Sequence, residues 1–238
     1  LADKVPIPPS GWLALNGGFL VALELFRCPE TPWLAHFGVT LIHETGHWIS
    51  GWLFGYPSFL YFDDQFTQGM TVHSPFNESI LMGIYLIMGG SIGLPHHPLL
   101  TRLKWILVIV VYSLIVFSDL SKSVILSMGH GAELALAGGL LYLTVTNPRF
   151  WICLICATLG FYLIMVNLSL AHQLLYDDYY QVLYLYQGKH DLAQLAYRHF
   201  HGQLTPVATL LFWSCFLPLS TVIIKIMSVA LGNKTKHR

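Results

Sequence analysis

The chain has 238 residues, 55% of them hydrophobic and 10% charged, with a formal net charge of zero. A water-soluble domain carries about 25% charged residues, so this composition excludes a water-facing globule and makes lipid the main solvent. The mean hydropathy of +0.59 agrees, and the balanced charge excludes a bulk electrostatic pull toward nucleic acid.

A helix crosses the hydrocarbon layer with roughly 20 apolar residues at about 1.5 Å each. Apolar runs bounded by Pro, Gly and charged clusters predict helices over Trp12–Phe26, Trp33–Phe54, Glu78–Leu94, Leu100–Phe117, Lys122–Thr146, Phe150–Leu174 and Leu204–Leu231. The first is short and reads either as a span or as a tilted or re-entrant segment. The expected fold is therefore all-α: a single polytopic membrane domain over residues 1–238, with six to seven transmembrane helices. Pro206 and Pro218 lie in the last run, and Pro218 should kink it by removing a backbone donor.

Two connections exceed simple turns. Residues 56–77 mix aromatic and β-branched residues around Gly69, which suits a short membrane-associated hairpin. Residues 177–202 read as an extracytoplasmic amphipathic segment broken near Gly188. Alternating spans place Arg27, Arg102, Lys104, Arg149, Lys234, Lys236 and Arg238 on one side, with Glu30 as its acid. The other side collects Asp63, Asp64, Glu78, Asp119, Asp177, Asp178 and Asp191, with Lys122, Lys189 and Arg198. The Lys/Arg bias marks the first side, with the C-terminus, as cytoplasmic, in a bacterial inner membrane or an organellar membrane.

The second run carries His43-Glu44-Thr45-Gly46-His47. A helix turns about 400° over four residues, so both imidazoles face one way and can reach a single Zn²⁺. Glu44 lies on the adjacent side, placed to take a proton from a water on the metal rather than to ligate it. Ionisable side chains in a span are costly and mark function. Catalytic zinc usually has three protein ligands, and the fifth long run supplies Ser127-Met128-Gly129-His130-Gly131-Ala132-Glu133. His130 lies roughly 12 Å in from Lys122, and its flanking glycines permit close helix approach. His130 is the expected third ligand. Glu133, one turn on, is the alternative ligand or a partner that orients His130.

The stretch HETGHWISGWLFGYPSFLYF resembles the first core segment of the site-2 protease family of intramembrane zinc metalloproteases: a His-Glu-x-x-His helix with Gly46 before the second His, Gly55 eight residues later, then a β-rich loop. The resemblance covers roughly Trp33 to Leu143, within a protease-like core over 33–146, and places His130-Gly131-Ala132 where the family has Asp-Gly. It implies hydrolysis of peptide bonds in membrane-embedded substrates, with Glu44 as the general base and the loop after Gly55 holding the substrate extended. The alternative is a protease-like, inactive subunit that serves assembly among partner membrane proteins.

Other polar residues have plainer readings. His36 reads as a packed histidine, His96-His97 as an interfacial pair, and Asn16 and Asn167 as interhelical hydrogen-bonding amides. His172, His199, His201 and Asp119 are expected near water. Cys153-x-x-Cys156 sits in an apolar run and reads as small apolar residues, and no disulfide is expected of Cys28 or Cys215. Twelve histidines also raise a di-iron oxygenase or a haem protein, but one His-x-x-x-His box at mid-depth is too few for the former, and no axial pair stands out for the latter.

Overall fold

A computed structural model describes residues 7–28, 33–63, 69–93, 98–188 and 190–234. Glu30, Asp64, His96, His97, Lys189, Lys236 and Arg238 lie outside the described residues. The helices are α1 (Pro9–Arg27), α2 (Trp33–Leu53), α3 (Glu78–Gly93), α4 (Leu99–Val116), α5 (Leu120–Thr146), α6 (Phe150–Tyr176), α7 (Asp178–Gln187), α8 (Asp191–His199), α9 (Leu204–Ser214) and α10 (Leu217–Lys234). Between α2 and α3 lies an antiparallel hairpin of β1 (Ser58–Phe62) and β2 (Gly69–His73), paired from Ser58↔His73 to Phe62↔Gly69. The 56–77 connection thus holds the hairpin that its aromatic and β-branched residues suggest, with Gly69 in β2, paired with Phe62, rather than in the turn.

Among the described residues, four stretches are long and apolar enough to cross a membrane: Leu99–Val116, Leu120–Thr146, Phe150–Tyr176 and Leu204–Ser228. They point to a membrane protein. The count is below the six to seven expected, for a compositional reason. α2 has the length, 21 residues, but His36, His43, Glu44 and His47 dilute its apolar character. α1 is similarly diluted by Asn16, Glu24 and Arg27, and the apolar part of α3, Glu78–Gly90, is short.

The chain packs as two compact units, one of residues Leu1–Val39 with His130–Arg238, the other Thr40–Gly129. In the first, α1 lies along α6 on a stripe of small buried residues, Gly11, Ala14, Gly18 and Ala22. A Cβ added at Gly18 would run into Ala157 and lie 2.8 Å from the Thr158 backbone nitrogen. Close backbone approach replaces side-chain burial there, as expected for helices in lipid. The last predicted run is two helices rather than one kinked helix. α9 ends at Ser214 and α10 begins at Leu217, next to Pro218. Proline supplies no N–H and disfavours helical geometry in the residue before it, so the break falls just ahead of it. Pro206 sits in the first turn of α9, where its missing donor costs nothing.

In the same unit Asp177 caps α7 by accepting from the Tyr180 N–H at 3.0 Å, and Gly188 ends the helix with φ 59. The 177–202 segment is thus the broken helical pair expected. The second unit is centred on Phe54, Leu81, Val116 and Ile125, with Tyr56, Tyr85 and Tyr112 packed against them. Tyr85 Oη donates to Ser113 Oγ at 2.7 Å, and Tyr112 Oη donates to the Leu53 carbonyl, so the polar tips of these half-buried rings are satisfied.

Candidate metal centre

α2 places His43, Glu44 and His47 within one turn, as the four-residue spacing requires. His47 is 5% exposed and Glu44 8%. The Nε2 atoms of His43 and His47 stand 3.1 Å apart. Two ligand nitrogens on one tetrahedral zinc, each about 2.0–2.1 Å from it, would be about 3.3–3.4 Å apart, so the observed separation is close to that of a shared ion.

The other ring nitrogen of His47 settles which one bears the lone pair. His47 Nδ1 lies 2.7 Å from the Ile125 carbonyl. A carbonyl only accepts, so Nδ1 carries the proton and donates, and Nε2 of the neutral ring keeps its lone pair toward His43. α5 contributes a second feature at Gly129. A Cβ there would collide with the His43 ring at Cε1 and Nε2 and lie 2.6 Å from His47 Nε2. Only a glycine lets the α5 backbone lie against both imidazoles.

The hairpin approaches α2 along the strand face shared by Gly69, Thr71 and His73. A Cβ at Gly69 would lie 2.7 Å from Glu44 Cγ and 2.7 Å from Thr40 Cγ2. Thr71 Oγ1 stands 2.7 Å from Glu44 Oε2 and 3.0 Å from the Glu44 carbonyl. Its single proton is directed most closely at the carboxylate. Near the C-terminal end of α2, a Cβ at Gly51 would lie 2.7 Å from His73 Nδ1, and Trp52 Nε1 donates to the Ser58 carbonyl at 3.0 Å. Ser58 Oγ and His73 Nδ1, 2.7 Å apart, close the open end of the hairpin. The opposite face leaves Phe59, Tyr61, Met70 and Val72 exposed.

His130 and Glu133 belong to the other unit, where α5 packs with α6. His130 Nδ1 lies 2.8 Å from Asn167 Oδ1 and 3.7 Å from Glu133 Oε2. Asn167 is fully buried, and its Nδ2 donates both to Glu133 Oε2 and to the Leu163 carbonyl, the latter at 2.9 Å. His130 begins this unit at the residue after Gly129 in the continuous helix α5.

Asn16, expected to bond between helices, donates instead to the Trp12 carbonyl of its own helix at 2.9 Å. His172, His199, His201 and Asp119 are all exposed, and His172 also packs on Tyr176 with ring centroids 5.0 Å apart. Cys28, Cys153, Cys156 and Cys215 stand outside any disulfide, and all but Cys28 are buried. His190, after α7, stacks on Tyr184 at 4.4 Å, and burial holds its pKa below the ordinary 6.5.

The sequence singles out both α2 histidines, Glu44, His130, Glu133 and Asn167, but not Thr71 or the Ile125 carbonyl. Thr71 and the Ile125 carbonyl carry no local signal, because their roles depend on which element packs on α2. Asn167 does carry one, as an amide in the middle of an apolar helix. Compared with models of known protein families, with curated proteins and with solved structures, the chain matches none. The reading of the site therefore rests on its own residues.

Proposed function

We propose that this chain is a multi-pass membrane zinc metalloprotease of the site-2 type, hydrolysing peptide bonds of membrane-embedded substrates, with its C-terminus on the cytoplasmic side. The observation that carries the reading is the convergence of His43 and His47 Nε2, with the His47 ring fixed by a carbonyl behind it. His43, His47 and His130 would hold the ion, and Glu133 is the alternative third ligand. Zinc in such a site would supply Lewis-acid polarisation and make a bound water acidic.

The chain's own residues supply the rest. Thr71 occupies Glu44 Oε2, which leaves Oε1 as the oxygen that exchanges protons. Glu44 takes the proton of the attacking water there and returns it to the leaving amine. A peptide bond in a helix is shielded by its own hydrogen bonds, so a substrate must be unwound locally. Among the described residues the hairpin is a sheet of two strands lying on α2 at Glu44, and such a sheet could hold an unwound segment by strand addition.

The test is cleavage of a co-reconstituted single-span substrate by wild type and Glu44→Gln, with zinc content measured on both. Loss of cleavage with zinc retained supports the assignment of Glu44. Full activity in the variant would remove Glu44 from that role. Stoichiometric zinc in a wild type that cleaves no membrane substrate would favour a non-proteolytic subunit of a membrane assembly.

A further inference from the structure

Inside the apolar pair α5–α6 sits a buried polar relay, His130, Asn167 and Glu133. Glu133 is 2% exposed and Asn167 0%. An amide can face its neighbours in two flips, and the neighbours decide between them. Here the Asn167 side chain is met by a Glu133 carboxyl oxygen and by the Leu163 carbonyl. Both accept, so the NH₂ group must face them and Oδ1 must face His130. The reverse flip would oppose two oxygens with a third and leave buried donors without partners.

The amide oxygen then fixes the imidazole. Oδ1 has no proton to give, so His130 Nδ1, 2.8 Å away, is the donor. In the neutral ring the lone pair is left on Nε2. The arrangement repeats at His47, where the Ile125 carbonyl takes the Nδ1 proton at 2.7 Å. Histidine free in water prefers the proton on Nε2, the reverse of both.

We infer that Asn167, locked in one flip by Glu133 and Leu163, is a positioning residue that holds His130 as the Nδ1–H tautomer and reserves its Nε2 lone pair for the metal. The inference rests on the zinc reading for what the lone pair serves, but not for the tautomer itself. It also separates the roles of α5's two ionisable residues: His130 is the ligand, and Glu133 orients it through Asn167.

The tautomer is read from the imidazole ¹⁵N shifts of the metal-free protein in lipid at alkaline pH, with the His130 signals assigned by their loss in His130→Asn. Wild type should show a protonated Nδ1 and an unprotonated Nε2 at His130. Asn167→Leu should revert to Nε2–H and weaken zinc binding about 10–100-fold, the usual effect of removing a group that orients a metal-bound histidine. Glu133→Gln, which keeps an oxygen to accept from Asn167, should retain the wild-type tautomer.

A wild-type His130 in the Nε2–H form overturns the inference without any variant having to fold. So does an Asn167→Leu protein with unchanged tautomer and zinc affinity. A wild type with Nδ1–H at His130 that takes up no zinc leaves the positioning assignment standing and overturns the metal reading instead.

Discussion

His47 and His130 are held by the same chemistry with different acceptors. Each donates Nδ1–H to an oxygen, His47 to the Ile125 backbone carbonyl and His130 to the Asn167 side chain. The backbone acceptor comes with the path of α5 and survives any substitution at position 125 that keeps the helix. The side-chain acceptor depends on Asn167 and on the Glu133 carboxyl that meets its amide, with the Leu163 backbone carbonyl beside them. The lesson is one of robustness. The histidine of the α2 motif is fixed by the fold, whereas His130 is fixed by residues that a single change can undo.

The strongest break of this comparison acts on neither histidine. Glu44→Gln keeps the volume and the contact with Thr71 but removes the proposed base, and cleavage should fall by about 10²–10⁴-fold, the usual worth of a general acid–base group. Zinc content should stay at the wild-type level, as elemental analysis of the same sample will report. The next effect separates the two regions. Gly129→Val drives a side chain into the His43 and His47 rings, and zinc affinity should drop at least as far as in Asn167→Leu, by about 100-fold. In Gly129→Val the His130 tautomer should persist, because its acceptor lies on α6.

A smaller change sharpens the role of the hairpin. Thr71→Val removes the hydroxyl that meets Glu44 Oε2 at 2.7 Å, and kcat should fall about 10-fold by loss of one charge-assisted hydrogen bond. Zinc affinity should be unaltered, which a competition titration measures. The smallest effect lies outside the membrane. His190 stacks on Tyr184, and the desolvation of that contact holds its folded-state pKa below the 6.5 of the free group. The unfolded form thus binds a proton more readily, so the stability linked to this group is present above 6.5 and lost as pH falls through the lower folded value. Amide exchange in α7 and α8 should quicken over that interval, and His190→Phe should flatten the dependence.

Much of this was legible in the sequence, and for identifiable reasons. Long apolar runs gave α4 to α6 because lipid burial leaves one solution for the backbone. The spacing of His43 and His47 gave their shared face because helix geometry is local. The 56–77 hairpin and the break at Gly188 followed from β-prone residues and from glycine's access to positive φ. The span count was less legible. α2 and α1 trade apolar character for ionisable and small residues, and neither is apolar enough on composition alone. The break at Cys215–Phe216 was foreseen only as a kink, because proline shows where a helix is disturbed but not how completely it stops. The partners of the site residues were illegible in principle, since Thr71 reaches Glu44 across 27 positions and Ile125 reaches His47 across 78.

The most direct test of the central claim, that His43 and His47 converge on a zinc ion, is elemental analysis of protein purified in lipid or mild detergent without added metal. The account predicts stoichiometric zinc in wild type and its loss in His47→Ala. A fully folded wild type that carries no zinc, or carries iron in its place, would contradict it.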